Sequence, residues 1–254
     1  MAAYSEVFER KEVKYRLGAE RARRLQDALA GRMAPDAFGT SQVSSLYYDT
    51  PERSLIERSL DKPLYKEKLR VRWYGYPGCD GATPAFLELK KKFRGIVYKR
   101  RVGCPYQAAR AFLDGDGGFD WDGAEGDSEA EADLSWRNRQ VIREIESFRR
   151  RTGRLVPSML ISCSRTAWAP LPEAADAEGV RITFDTGIAY RDLVGGGEGL
   201  ALPADEVVVE VKVPGPFPLW LARMLSELGC VPCSFSKYGS AYALERARER
   251  RLCA

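Results

Sequence analysis

The stretch Tyr65-Lys66-Glu67-Lys68-Leu69-Arg70-Val71-Arg72-Trp73-Tyr74 alternates. Lys66, Lys68, Arg70 and Arg72 share one parity, and Leu69, Val71 and Trp73 share the other. Successive side chains of a β-strand point to opposite faces, so a period of two places cations on one face and apolar groups on the other. The β-branched and aromatic content fits a strand. Like charges along one face repel each other, and a solvated edge strand tolerates that. The pattern recurs along the chain, which an isolated edge does not explain.

Residues 6–16 place Arg10, Glu12 and Lys14 in phase. Residues 85–93 carry Glu88, Lys90 and Lys92 on one side and Leu87 and Leu89 on the other. A turn at Arg94-Gly95 leads into 96–102, with Lys99 and Arg101 in phase. Arg181, Thr183 and Asp185 alternate in 180–186, as do Glu210 and Lys212 in 206–213. Strands are also expected at 41–49 and 157–169, about eight in all. Apolar spacing predicts helices over 18–31, 134–151, 216–229 and 240–251, and a short one over 52–59. Residues 114–133 are rich in Gly, Asp and Glu and are expected to form a mobile surface loop.

Flat sheets would leave these charged faces in water. A barrel gives them one interior, with helices packed outside. A lumen lined by Lys and Arg cannot pack dry, because buried unpaired cations are too costly, so it needs an anionic guest. The expectation is therefore an α+β fold, a single domain over 1–254 built on an eight-stranded antiparallel β-barrel. The length suffices for such a core. Net charge is only +4, so a basic site must come from placement.

The chain has no histidine, which removes His-dependent nucleophile chemistry and the commonest metal ligand. Among six cysteines only Cys230-Val-Pro-Cys233 is a CxxC; zinc would need a second pair, so buried free thiols are expected. No apolar run is long enough for a membrane span, and the N-terminus lacks a signal-peptide core. The expected location is cytoplasmic, with membrane attachment only through a partner protein.

Phe8-Glu9-Arg10-Lys11-Glu12-Val13-Lys14-Tyr15, Leu46-Tyr47-Tyr48-Asp49, Lys68-Leu69-Arg70-Val71-Arg72-Trp73-Tyr74-Gly75, Leu87-Glu88-Leu89-Lys90, Val180-Arg181-Ile182-Thr183-Phe184-Asp185-Thr186, Val209-Glu210-Val211-Lys212 and Phe235-Ser236-Lys237-Tyr238 occur in this order. The series resembles the VTC domain, the polyphosphate polymerase domain of the vacuolar transporter chaperone complex, in the triphosphate tunnel metalloenzyme (CYTH-like) superfamily. The resemblance spans nearly the whole chain and includes bacterial relatives. It implies an eight-stranded tunnel and transfer of the γ-phosphate of ATP to a growing inorganic polyphosphate chain, with Mn²⁺ or Mg²⁺. It implies phosphate contacts from Lys14, Arg70, Arg72, Lys90, Lys99, Arg165 and Arg181, a metal at Glu210 with Lys212 beside it, and Lys237 on the closing side. Phase adds Lys68 and Arg101 to the phosphate set, and Glu12 and Glu88 as alternative metal ligands.

There are departures. The superfamily's opening ExExK reads Arg10-x-Glu12-x-Lys14, Cys163 stands where relatives usually have tyrosine, and Ser234 where eukaryotic members have lysine. The chemistry agrees with the resemblance: phosphoryl transfer needs positioning and charge stabilisation, which Arg and Lys supply. Two other readings stay open, a tunnel triphosphatase and a non-catalytic polyphosphate-binding module. Nucleic acid is not expected as a partner, because the aromatics fall mostly out of phase with the cations.

Overall fold

The computed structural model describes residues 11–78, 80–94, 96–115, 118–119 and 129–252, the side chains of 129–135 and 252 excepted. The expected strand start at residue 6, Arg10, Cys79, Gly95, Cys253 and most of the stretch 114–133, with Trp121, lie outside the described residues.

In chain order the elements are β1 (Lys11–Gly18), α1 (Ala19–Leu29), β2 (Met33–Asp49), α2 (Ser54–Leu60), β3 (Tyr65–Tyr74), β4 (Pro84–Phe93), β5 (Ile96–Pro105), α3 (Tyr106–Asp114), α4 (Glu129–Thr152), β6 (Val156–Pro170), β7 (Arg181–Asp192), β8 (Glu198–Leu200), β9 (Glu206–Val213), α5 (Leu219–Glu227), β10 (Pro232–Cys233) and α6 (Lys237–Leu252). The fold is α+β, as expected.

The closed eight-stranded barrel is corrected on two points. The sheet has ten strands, the additional ones being the short β8 and β10. Pairing follows the path β10-β1-β9-β7-β6-β2-β3-β4-β5, with β8 on β7, and among the described residues nothing joins its two ends. Both ends resist further pairing. On β5, Lys99, Arg100 and Arg101 are all exposed, a charged edge. β10 has two residues and opens with Pro232, which has no N–H to donate.

Several boundaries also shift. β2 begins at Met33, ahead of the expected strand. α4 begins at Glu129, inside the stretch read as loop, and α3 was not expected at all. The stop at Gly153 holds: its φ is 81° and its N–H donates to Arg149 O at 2.9 Å, ending α4 in a left-handed residue that glycine adopts without strain.

Contacts divide the chain into two compact units. Of the described residues, the first comprises those within 1–42, 163–189 and 200–240; the second, those within 43–162, 190–199 and 241–254. In the first, Tyr15 and Leu17 of β1 and Val207, Val209, Val211 and Val213 of β9 pack with Leu25 and Leu29 of α1 and Leu221 and Leu225 of α5. In the second, Leu69, Val71 and Trp73 of β3 and Leu87 and Leu89 of β4 pack with Phe112 of α3 and Ile142, Ile145 and Phe148 of α4. Each such Leu or Val contributes about 1.5–3 kcal/mol on full burial, which fixes the faces these strands turn toward their helices.

Candidate functional site

In the second unit the register assembles the predicted cations. Tyr47 lies opposite Arg70, Arg70 opposite Glu88, and Glu88 opposite Arg101. One rung along, Lys68 faces Lys90 and Lys90 faces Lys99; on the other side Ser45 faces Arg72. These residues share the face opposite the helix-covered one. Lys91 and Arg100, of the other parity, instead pair with Glu144 of α4 at 2.8 and 3.4 Å.

Glu88 is the hub. It is 1% exposed. Arg70 reaches its Oε2 through Nε at 2.7 Å and Nη2 at 2.6 Å, Lys99 reaches Oε1 at 3.2 Å, and Arg72 Nε lies 3.9 Å away. Burial opposes ionisation of Glu88, but Arg70, Arg72 and Lys99 overcome it and hold the carboxyl well below the usual range. One carboxylate against three cations orients them without neutralising the face. Arg70 spends three of its five N–H groups on Glu88 and Tyr47, and the remaining two suit an anion. Arg101 is exposed, its guanidinium 4.9 Å from the centre of the Phe86 ring.

In the first unit, Lys14 lies opposite Glu210, Glu12 opposite Lys212, and Glu210 opposite Thr183. Lys14 Nζ is 3.1 Å from Glu12 and 3.5 Å from Glu210, and Lys212 Nζ is 2.5 Å from Glu210. A second hub lies on β7: Asp185, 0% exposed, accepts both arms of Arg165 at 2.6 and 2.7 Å and also the Lys237 ammonium. Burial opposes its ionisation, but Lys237 and Arg165 hold it well below the usual range. Arg181 stands apart: it is exposed and pairs with Asp36 at 3.1 Å.

The donors around Glu210 can be tested against a divalent metal. Among the described residues no group of three or more Asp, Glu, Cys or His could hold an ion by itself. Mg²⁺ and Mn²⁺ sites that share substrate phosphates need only one or two carboxylates, which Glu210 and Glu12, both within 3.5 Å of Lys14, supply. The buried Thr183 hydroxyl, in register with Glu210, has no hydrogen-bond partner, a further oxygen there. Glu88, by contrast, is committed to its three cations.

Two contributors escape the sequence reading. Asp185 stands in phase with Arg181 within the 180–186 motif, with no role assigned to it there. Tyr47 stands beside Tyr48 in the Leu46-Tyr47-Tyr48-Asp49 motif with no role assigned to it, yet alternation forbids both from facing the same core. Tyr48 packs with the second-unit core and donates to Asp114 at 2.7 Å, while the Tyr47 hydroxyl accepts from Arg70 at 2.9 Å. The thiols are mixed: Cys163 and Cys230 are buried as expected, whereas Cys233 is exposed. Burial pushes the Cys104 and Cys230 thiols up, which does not favour a redox role. A cavity of about 460 Å³ lined by Pro51, Arg154, Val156, Pro157, Leu193 and Val194 shares no residue with the cationic face.

Tyr47 carries a testable pH dependence. Burial raises its pKa, but Arg70, Arg72 and Lys68 prevail and bring it down to about 8. Above that pH a phenolate partly neutralises Arg70, so any polyanion held by this face should bind several-fold more weakly at about pH 9 than at about pH 7, across that ionisation. Tyr47→Phe should flatten the fall. Calorimetric titration at both pH values checks this, and an unchanged slope in the variant would refute it.

The sequence profile of the VTC domain matches residues 9–246. No curated relative matches the sequence. Among solved structures, the chain is similar to a candidate adenylate cyclase of Bacillus halodurans, at 14% identity and TM-score 0.47, covering 91% of this chain and 94% of that one. It is also similar to one of Vibrio parahaemolyticus, at 12% identity and TM-score 0.47, covering 93% and 99%. These scores are too low to carry an inference.

Proposed function

The chain belongs to the VTC domain family, and from that premise we propose that it is a polyphosphate polymerase acting as a single domain on ATP and inorganic polyphosphate. The observation that carries this is the face on which buried Glu88 orients Arg70, Arg72 and Lys99 while leaving their net charge positive. Such a face binds phosphate oxygens in fixed geometry. Arg70, Arg72, Lys68, Lys90 and Lys99 serve in the second unit, and Lys14, Arg165, Lys212 and Lys237 in the first. Lys99, Arg101 and Arg181 are the exposed members of the proposed set.

The terminal oxygen of the acceptor chain bonds to the γ-phosphorus of ATP as the bridge to the β-phosphate breaks, and ADP leaves. That oxygen needs no general base, since a phosphate's second pKa is about 6. Water would need one. The chain has no histidine, and the ion-paired Glu88 and Asp185 are weak bases, which favours transfer over hydrolysis. Glu210, with Glu12, would hold the Mn²⁺ or Mg²⁺, whose chemistry is to neutralise charge on the departing diphosphate. Among the described residues no helix is long and apolar enough to cross a membrane. In this reading the protein acts in the cytoplasm, and any membrane attachment runs through a partner protein.

Arg70→Ala tests the reading. Hydrogen bonds to charged groups are worth about 1.5–3 kcal/mol, so tripolyphosphate binding should weaken roughly 10- to 150-fold, with transfer falling alongside. Binding unchanged in a folded variant would remove the phosphate assignment.

A further inference from the structure

The cationic face of the second unit continues past the residues discussed so far. At the ends of β3 and β4, Lys66 lies directly opposite Lys92. Directly opposed like charges destabilise a sheet. Elsewhere the conflict is relieved: Glu88 serves Arg70, Arg72 and Lys99, and Glu144 serves Lys91 and Arg100. Among the described residues neither Lys66 nor Lys92 has a carboxylate within ion-pairing distance. Lys66 is half-buried, its ammonium tied to Ser59 O at 3.0 Å. Burial lowers its pKa first, and Lys92 and Lys62 lower it further, so both ammonium groups lie close enough to be felt.

Lys62 is the third cation at this end of the face. It sits between α2 and β3 with φ at 52°, a left-handed conformation that side chains other than glycine, Asn and Asp seldom adopt. Among the described residues only Arg53, Lys62 and Arg94 are non-glycine with positive φ, and all three are basic. Lys62 follows the Asp61 C-cap of α2, so its left-handed backbone ends that helix and leaves a third, exposed lysine near Lys66.

We propose that Lys62, Lys66 and Lys92 form a distal anion subsite that holds the far segment of a linear polyphosphate chain, so that the site favours long chains over short ones. This rests on the phosphate reading of the face. Lys66 is four residues from Arg70 along β3, about 13 Å at strand rise, farther than a triphosphate reaches. A longer chain bound at Arg70 passes Lys68 and Lys90 and arrives at this triad.

The experiment measures affinity for tripolyphosphate, long-chain polyphosphate and a charge-matched single-stranded oligothymidylate over a salt series. It compares the unaltered chain, Lys62→Gln/Lys66→Gln/Lys92→Gln and Arg70→Ala. If the triple variant does not fold, Lys92→Gln alone, at an exposed position, takes its place. The triple variant should lose at least tenfold in long-chain affinity, with a much smaller change for tripolyphosphate. Its log–log salt slope for the long chain should drop by about 2, from ~0.7 per phosphate contact in single-stranded polyanions. Arg70→Ala should weaken both polyphosphate probes. Equal losses for short and long chains in the triple variant, or none, with Arg70→Ala still weakening both, would overturn the subsite alone. No effect of Arg70→Ala on either would overturn the phosphate reading and the subsite with it. A loss for oligothymidylate as large as for polyphosphate would overturn the assignment of the ligand.

Discussion

Glu88→Gln is expected to destabilise the protein by about 3–5 kcal/mol, the loss typical when one partner of a buried ion pair is removed. Glutamine keeps the volume and removes the charge. Arg70 and Arg72, both largely buried, then retain their charges without the carboxylate that holds them. Urea unfolding at neutral pH reads the loss. Acid titration reads the same interaction. The folded-state pKa of Glu88 lies below its unfolded value of about 4.3, so its contribution is complete above that pH and falls away as pH drops toward the folded value. Asp185 acts with the same sign. The unaltered chain should therefore lose stability below about pH 4, near the unfolded carboxylate range. Glu88→Gln should lose its share of that slope, and Glu88→Gln/Asp185→Asn most of it. A Glu88→Gln protein as stable as the parent would mean that the hub does not hold the cations. Saturating polyphosphate should restore part of the loss, because a bound polyanion supplies the missing counter-charge and stabilises the folded state by mass action.

Glu210→Gln is expected to abolish most metal-dependent turnover while polymer binding persists. In the proposed reading polymer affinity is distributed over many cations, and this change removes none of them. It also releases Lys14 and Lys212 from a shared carboxylate, so the first unit becomes slightly more cationic. Transfer depends on charge neutralisation at the leaving diphosphate, for which Glu210 is the proposed ligand. Polymer retention and Mn²⁺-dependent ATP turnover, measured side by side, separate the two effects. Full turnover in Glu210→Gln would transfer the metal to Glu12.

The strands and their faces were legible because period two is a local signal. Lys68, Arg70 and Arg72 could be assigned to one face, and Leu69, Val71 and Trp73 to the helices, from ten consecutive residues. The hubs were not legible. Which cation meets Glu88 or Asp185 depends on register between strands and on partners as distant as Lys237, 52 residues from Asp185. Tyr47 could have been found, since Tyr48 takes the apolar side and alternation leaves Tyr47 with the cations. Closure was not readable, because alternation specifies faces and not where the pairing path ends. The first half of β2 was hidden by Pro35 and Gly39, residues that ordinarily break strands. The Leu46-Tyr47-Tyr48-Asp49 motif had a local meaning that sequence alone did not give: Asp49 accepts the Leu55 and Ile56 N–H groups and so holds the start of α2.

The fate of the γ-phosphate tests the account most directly. The purified protein is given γ-labelled ATP, Mn²⁺ and a tripolyphosphate acceptor, and the products are resolved by size. Transfer to a phosphate chain predicts label in polymer that lengthens with time, a minor share in orthophosphate, and loss of the polymer label in Arg70→Ala. Label released only as orthophosphate would contradict the account and make the protein a hydrolase.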